Sequence, residues 1–110
     1  MAKLDFGWVV QPAPRRSVAS GDLRAYNLAS IEALSTRFTT ILVEDHFQWE
    51  DQPTLEAWTT TAYLAAQYPR FHYANLVLGQ SYRNPAMLAK MAATLQYLTG
   101  GRFILGLGAG

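Results

Sequence analysis

"NPAMLAKMAATLQYLTGGRFILGLGAG", residues Asn84 to Gly110, decides the fold of this chain. Its first part reads as a helix. Asn84 suits the N-cap, and Pro85 suits the first helical position, where the N–H it lacks would go unpaired anyway. Leu88, Met91, Leu95 and Leu98 recur on one helical face, and Gly100-Gly101 supplies the stop. The second part, "RFILGLG", reads as a strand running into Gly106, Gly108 and Gly110. A dinucleotide fingerprint needs a strand, G-x-G-x-x-G, and then a helix whose N-terminus holds the pyrophosphate. Here the spacing is G-x-G-x-G, with no helix after it. The competing reading is steric: glycines sit in a strand where a neighbouring layer or a ligand crowds the backbone.

Working outward, each apolar run is preceded by a helical pattern. "RFHYANLVLG" reads as the strand before this helix. Ahead of it, "QPTLEAWTTTAYLAAQYP" places Pro53 in a first helical turn. Leu55, Trp58, Ala62 and Ala65 form its stripe, and Pro69 ends it. "TTILVEDHF" is a short, β-branched strand candidate ending at Glu44-Asp45. "LRAYNLASIEALSTRF" carries Leu28, Ile31, Leu34 and Phe38 at helical spacing, and "LDFGWVV", Leu4 to Val10, reads as the first strand. Residues 11–23, rich in Pro, Ser, Arg and Gly, read as a loop that includes the basic pair Arg15-Arg16. The order is β-α-β-α-β-α-β, which predicts an α/β fold with a parallel sheet. Two architectures suit it: a doubly wound open sheet, or the N-terminal half of a (β/α)8 TIM barrel. A complete barrel needs roughly 250 residues, so this chain would hold four strands and three helices of one.

Composition narrows the function classes. Half of the 110 residues are apolar and the formal net charge is +1, so a core is expected and there is no electrostatic case for nucleic acid or an anionic membrane. The absence of cysteine excludes disulfides and thiolate chemistry. The N-terminal apolar run is too short for a secretory signal, and charged residues or glutamine interrupt every later one. A cytoplasmic protein acting on a small-molecule substrate is the expectation.

In a parallel α/β fold, functional groups gather where strands end and the next loops begin. Three stretches qualify: "EDHFQW" after the second strand, "GQSYRNP" after the third and "GAG" after the fourth. His46 beside Asp45 has the chemistry of a general acid or base, with Asp45 able to orient it. A solvated His-Asp pair is the plainer alternative. Trp49 can offer a flat apolar wall to a ring, or simply pack. Gly79 permits a close backbone approach. Tyr82 and Arg83 can meet an anionic or aromatic group, or Arg83 can pair with a carboxylate or helix end. No metal site is expected, because the other histidine, His72, falls within a strand and no ligand spacing recurs.

Together, "EDHFQW", "PTLEAWTTTAYLAAQYPR" and "LVLGQSYRNPAMLAKMAATLQYLTGGRFILGLGAG" resemble the luciferase-like flavin-dependent oxidoreductases. The likeness covers nearly the whole chain and is densest from Tyr82 to Gly110. It implies a partial luciferase-like TIM-barrel domain over residues 1–110, from an enzyme using FMN or coenzyme F420, either a monooxygenase or an F420-dependent dehydrogenase. His46 matches the histidine of the family's "DHF" segment, which serves proton transfer or supports the flavin intermediate. Asp45 and Trp49 match cofactor- and substrate-contacting positions. Leu76-Val77 to Gly79 match the bulge that backs the flavin ring, and Ala109 and Gly110 match the strand-four loop approaching the cofactor. Arg37 and Gln96 depart from a frequent glycine and aspartate. Strands five to eight, whose last loops usually hold the cofactor phosphate, lie outside the sequence. The expectation is therefore an N-terminal part of such an enzyme. The alternatives are an inactive half barrel that self-associates or needs the missing half as partner, and a small doubly wound nucleotide-binding module.

Overall fold

The structure, a computed structural model, describes residues 3–14 and 22–110. Strand β1 (Phe6–Val9) is followed by helix α1 (Leu23–Glu32), β2 (Phe38–Val43), α2 (Ala57–Gln67) and β3 (His72–Asn75). Then come a two-residue β4 (Leu78–Gly79), α3 (Pro85–Leu98), and the short β5 (Phe103–Ile104) and β6 (Leu107–Gly108). Strands β1, β2, β3 and β5 form one parallel sheet in that order, and β4 pairs with β6, also parallel. Gln11–Pro14 are irregular, as the sequence predicts. The Arg15-Arg16 pair lies outside the described residues.

The three helices among the described residues share one side of the sheet. A single buried cluster contains Ile31 of α1, Leu64 of α2 and Leu95 of α3 together with Ile41, Val43, Tyr73 and Phe103 of the strands. Helices on opposite faces would have split that cluster in two. The strand residues of the other parity, Gly7, Thr40 and His72 in one row and Val9, Leu42, Ala74 and Ile104 in the next, are paired in register and form a helix-free face. Ile104 there is half exposed. A doubly wound sheet carries helices on both faces and reverses its strand order at a switch point. This sheet does neither, so the doubly wound alternative is set aside. Strands that neighbour each other in chain order with one outer helical layer are the arrangement of a partial (β/α)8 barrel.

Local chemistry fixes the element ends. The Asp22 side chain caps α1 by accepting from the Arg24 N–H, and Asn84 caps α3 by accepting from Ala86 and Met87, with Pro85 in the first turn. Gly100 and Gly101, at φ +65° and +87°, stop α3 in the left-handed region where a Cβ would be strained. Gln96, the departure from the family pattern, holds the Phe103 N–H through its side-chain oxygen at 2.9 Å and so ties α3 to β5. Buried Asn27 exchanges two 3.0 Å hydrogen bonds with the backbone of Gln11, joining α1 to the end of β1.

Three expectations on element bounds are corrected. Phe38 is not the last residue of the first helical stripe but the first of β2, because a turn closes at Ser35 and the β-branched run then pairs with β1. Pro53 precedes α2 instead of opening it. The Leu55 N–H is committed to the Pro12 carbonyl at 2.8 Å, and Glu56 becomes the N-cap. The third and fourth strands each divide in two. The Leu76–Val77 peptide between β3 and β4 is cis. Gly106 lies between β5 and β6, and a Cβ there would overlap the Asn75 carbonyl oxygen. The steric reading of that glycine is correct, and the Gly106 carbonyl in turn accepts from the Leu78 N–H at 2.8 Å.

Candidate active site

The segments after β2 and β4 and the N-terminus of α2 converge on a cleft of about 300 Å³, lined by Asp45, His46, Phe47, Thr54, Glu56, Tyr82 and Arg83. Parallel pairing brings these loops together, since every strand ends at the same edge.

The floor of the cleft is an ion-pair network. The Asp45 side chain is almost wholly buried, and both of its oxygens are engaged. Oδ2 accepts from the Gly79 N–H at 2.8 Å and from Arg83 Nη1 at 2.7 Å, while Oδ1 accepts from Arg83 Nη2 at 3.0 Å. This is a two-pronged guanidinium–carboxylate pair, the strongest geometry available to these groups. Arg83 Nη2 also contacts Glu56 Oε1. Glu56 meanwhile caps α2, accepting from the Trp58 and Thr59 N–H groups. Partial burial pushes the Glu56 carboxyl upward, but the Thr59 and Trp58 N–H donors and Arg83 outweigh it and bring the group down to about 2. The Arg83 guanidinium is pushed up, first by its hydrogen bonds to Asp45. One arginine thereby joins the end of β2, the start of α2 and the loop before α3.

Above this floor stands His46. Its imidazole meets the indole of Trp49 edge to face, with ring centroids 4.6 Å apart, and its Nε2 lies 3.6 Å from Glu44 Oε2. Phe47 and Tyr82, both exposed, form a second aromatic pair at 5.6 Å. The Gly79 and Tyr82 contact is close enough that a Cβ on Gly79 would fall 2.9 Å from the Tyr82 ring.

The residues singled out in the sequence thus fall into two groups. Asp45 and Gly79 are hydrogen-bonded to each other, and the Gln80 side chain continues from them to the Ala109 carbonyl at 3.1 Å. Val77 is exposed, with its Cγ2 2.5 Å from where a Cβ on Gly108 would stand, and Gly110 is open on all sides at φ +91°. His46 and Trp49 form the other group. Asp45 does not contact His46; its two oxygens are used by Arg83 and Gly79, so the orienting role anticipated for Asp45 is not seen. His72 is exposed at the start of β3, and no group of three or more possible metal ligands occurs among the described residues.

Sequence reasoning missed Glu44 and Glu56. Glutamate is not a favoured N-cap residue, and the further contact of Glu56 is with Arg83, 27 residues away. For Glu44 the available signal was parity. Residues i and i+2 of a strand share a side, which sets Glu44 apart from Val43 and Asp45; beyond the strand's end at Val43, Asp45 and His46 both line the cleft.

The family model of luciferase-like monooxygenases matches residues 4–110. Among curated proteins, a phthiodiolone/phenolphthiodiolone dimycocerosates ketoreductase of Mycobacterium sp. (strain JLS) is 43% identical over 58 residues. That stretch is 51% of this chain and 15% of the ketoreductase. No helix among the described residues is long and apolar enough to cross a membrane.

Proposed function

The chain belongs to the luciferase-like monooxygenase family, and we propose that it forms the N-terminal half of a flavin-type oxidoreductase barrel whose proton-handling residue is His46. The observation that carries this reading is the placement of His46: a titratable imidazole, braced by Trp49, in a cleft at the ends of parallel strands. An imidazole nitrogen can both give and take a proton.

FMN or coenzyme F420 fits the residues present. Exposed Leu76 and Val77 offer apolar surface, Val77 covers Gly108, and Gly110 leaves its backbone bare, which suits one face of a flat ring system. When bound, such a cofactor supplies or accepts the hydride or activates oxygen. The chain's own residues do the rest. Val77, Gly79, Ala109 and Gly110 shape the ring's bed. Asp45 acts through Arg83 and the Gly79 N–H to fix that bed relative to β2. Trp49 walls the substrate side, and His46 holds or delivers a proton at the substrate oxygen. The ketoreductase relative makes a ketone or secondary alcohol a candidate substrate class.

The test is a titration of this chain, and of His46→Ala, with FMN and with F420, followed by fluorescence. Binding by the wild type, with H46A keeping binding but losing turnover once the barrel is complete, is the expected result. No spectral change up to the solubility of either cofactor would show that the half barrel does not hold the ring.

A second reading is favoured by the helix-free face. Half-exposed Ile104 and the unpaired outer edges of β1 and β5 suit pairing with a second copy or with the other barrel half. In that case the isolated chain is inactive and sediments as an assembly; a monodisperse monomer would count against it.

A further inference from the structure

Two adjacent carboxylates end β2, and the geometry separates their roles. Ile41 and Val43 face the helices, whereas Thr40 and Leu42 face the helix-free side. Strand alternation continued by one residue puts Glu44 on the helix-free side and Asp45 on the helical side. The contacts agree. Asp45 is buried against Arg83 and Gly79, while the half-exposed Glu44 turns its Oε2 to His46 Nε2 at 3.6 Å. Trp49 closes on the same imidazole edge to face. His46 thus lies between one carboxylate and one aromatic ring, and of Glu44, Asp45 and Glu56 only Glu44 has no hydrogen bond to Arg83.

We propose that Glu44 is the positioning residue of His46, holding the Nε2 side of the imidazole so that Nδ1 is the nitrogen presented to a bound substrate. At 3.6 Å the pair is beyond hydrogen-bond distance, so the influence is that of the carboxylate's charge on the nearer nitrogen. That charge favours the Nε2–H form of the neutral ring and leaves the Nδ1 lone pair available. This rests on the reading of His46 as the proton carrier, and it goes further by naming which nitrogen works and what holds the other.

The experiment is long-range ¹H–¹⁵N NMR of the full chain, which has only two histidines, recorded where both rings are neutral. His72, exposed and without a carboxylate contact among the described residues, is the internal reference, and His46→Asn assigns the signals. The expected wild-type result is a His46 population shifted further toward Nε2–H than that of His72. Glu44→Ala should bring His46 to the His72 pattern and reduce the ring-current displacement of its C–H protons by Trp49 by roughly half. Glu44→Asp, which keeps the charge, should retain more of both than Glu44→Gln, which loses it. Glu44 is half exposed, so these variants are expected to keep the amide spectrum of the wild type. A His46 pattern equal to that of His72 in the wild type, or unchanged in E44A, would overturn the proposal. The readout needs no cofactor, so it stands apart from the role of His46 in turnover, which H46N tests separately.

Discussion

Replacing Arg83 with methionine removes the guanidinium while keeping most of the stem that fills the space beneath the cleft. What remains is an Asp45 carboxylate, almost wholly out of water, with a single N–H donor, that of Gly79. Removing one partner of a buried pair in this way costs about 3–5 kcal/mol, because the other charge is left uncompensated. The Glu56 contact adds little, no more than about 1 kcal/mol, because that side chain is half in solvent. R83M is therefore expected to lose about 3–4 kcal/mol in urea unfolding followed by circular dichroism at neutral pH. Lysine at the same position keeps the charge but not the two-pronged fork, and should lose about half as much. D45N is the control, since it removes the charge that needs a partner. The D45N/R83M double variant should be more stable than the sum of the two single losses predicts, by at least about 1.5 kcal/mol. An R83M loss under about 1 kcal/mol, or strict additivity in the cycle, would refute the view that this pair holds the loops together.

Three further outcomes follow from single contacts. Gly106→Ala would drive a Cβ into the Asn75 carbonyl, which is backbone and cannot swing aside; a loss of about 1–3 kcal/mol is expected in thermal melts, larger than for alanine at Gly110, where nothing lies nearby. Glu56 sits at about 2 in the fold against an ordinary 4.5, so its contribution is complete above about pH 4.5 and fades as pH falls toward 2. Its exposure limits this to about 1 kcal/mol, and the slope of stability with pH in that window should be shallower in E56Q than in the wild type. Asn84→Ala removes the acceptor for the Ala86 and Met87 N–H groups and should cost about 1 kcal/mol, with Asn84→Asp close to neutral.

The repeating order of strands and helices was legible because it rests on periodicity and punctuation: the Asn84-Pro85 start, the Gly100-Gly101 stop and the β-branched run before Glu44. What local pattern could not show was decided by contacts between distant segments. Pro53 looked like a first-turn residue, yet the Leu55 N–H is drawn to the Pro12 carbonyl and the helix starts later. Phe38 fitted a helical stripe as well as a strand start, and pairing with β1 settled it. Nor does periodicity alone say whether helices lie on one face of a sheet or two. That depends on which parity of Ile41, Val43, Tyr73 and Phe103 each helix meets.

The site has the same division, and strand parity explains it. Asp45 and His46 are neighbours in sequence, which suggested a working pair. At the end of a strand, however, neighbours point to opposite sides. One side of β2 leads to the helical layer, where a buried carboxylate must find a permanent counter-charge, and Asp45 finds Arg83. The other side leads to the open face, where a carboxylate can stay partly solvated and act on a neighbour without being locked to it. Glu44 is on that side and reaches His46, which lines the cleft together with Asp45. A single residue's shift in register would exchange the two carboxylates, putting that of residue 44 against Arg83. The backbone register of β2 against β3, set by the pairs from Thr40↔His72 to Val43↔Asn75, therefore determines which of two chemically similar carboxylates supports the fold and which is free to serve the imidazole.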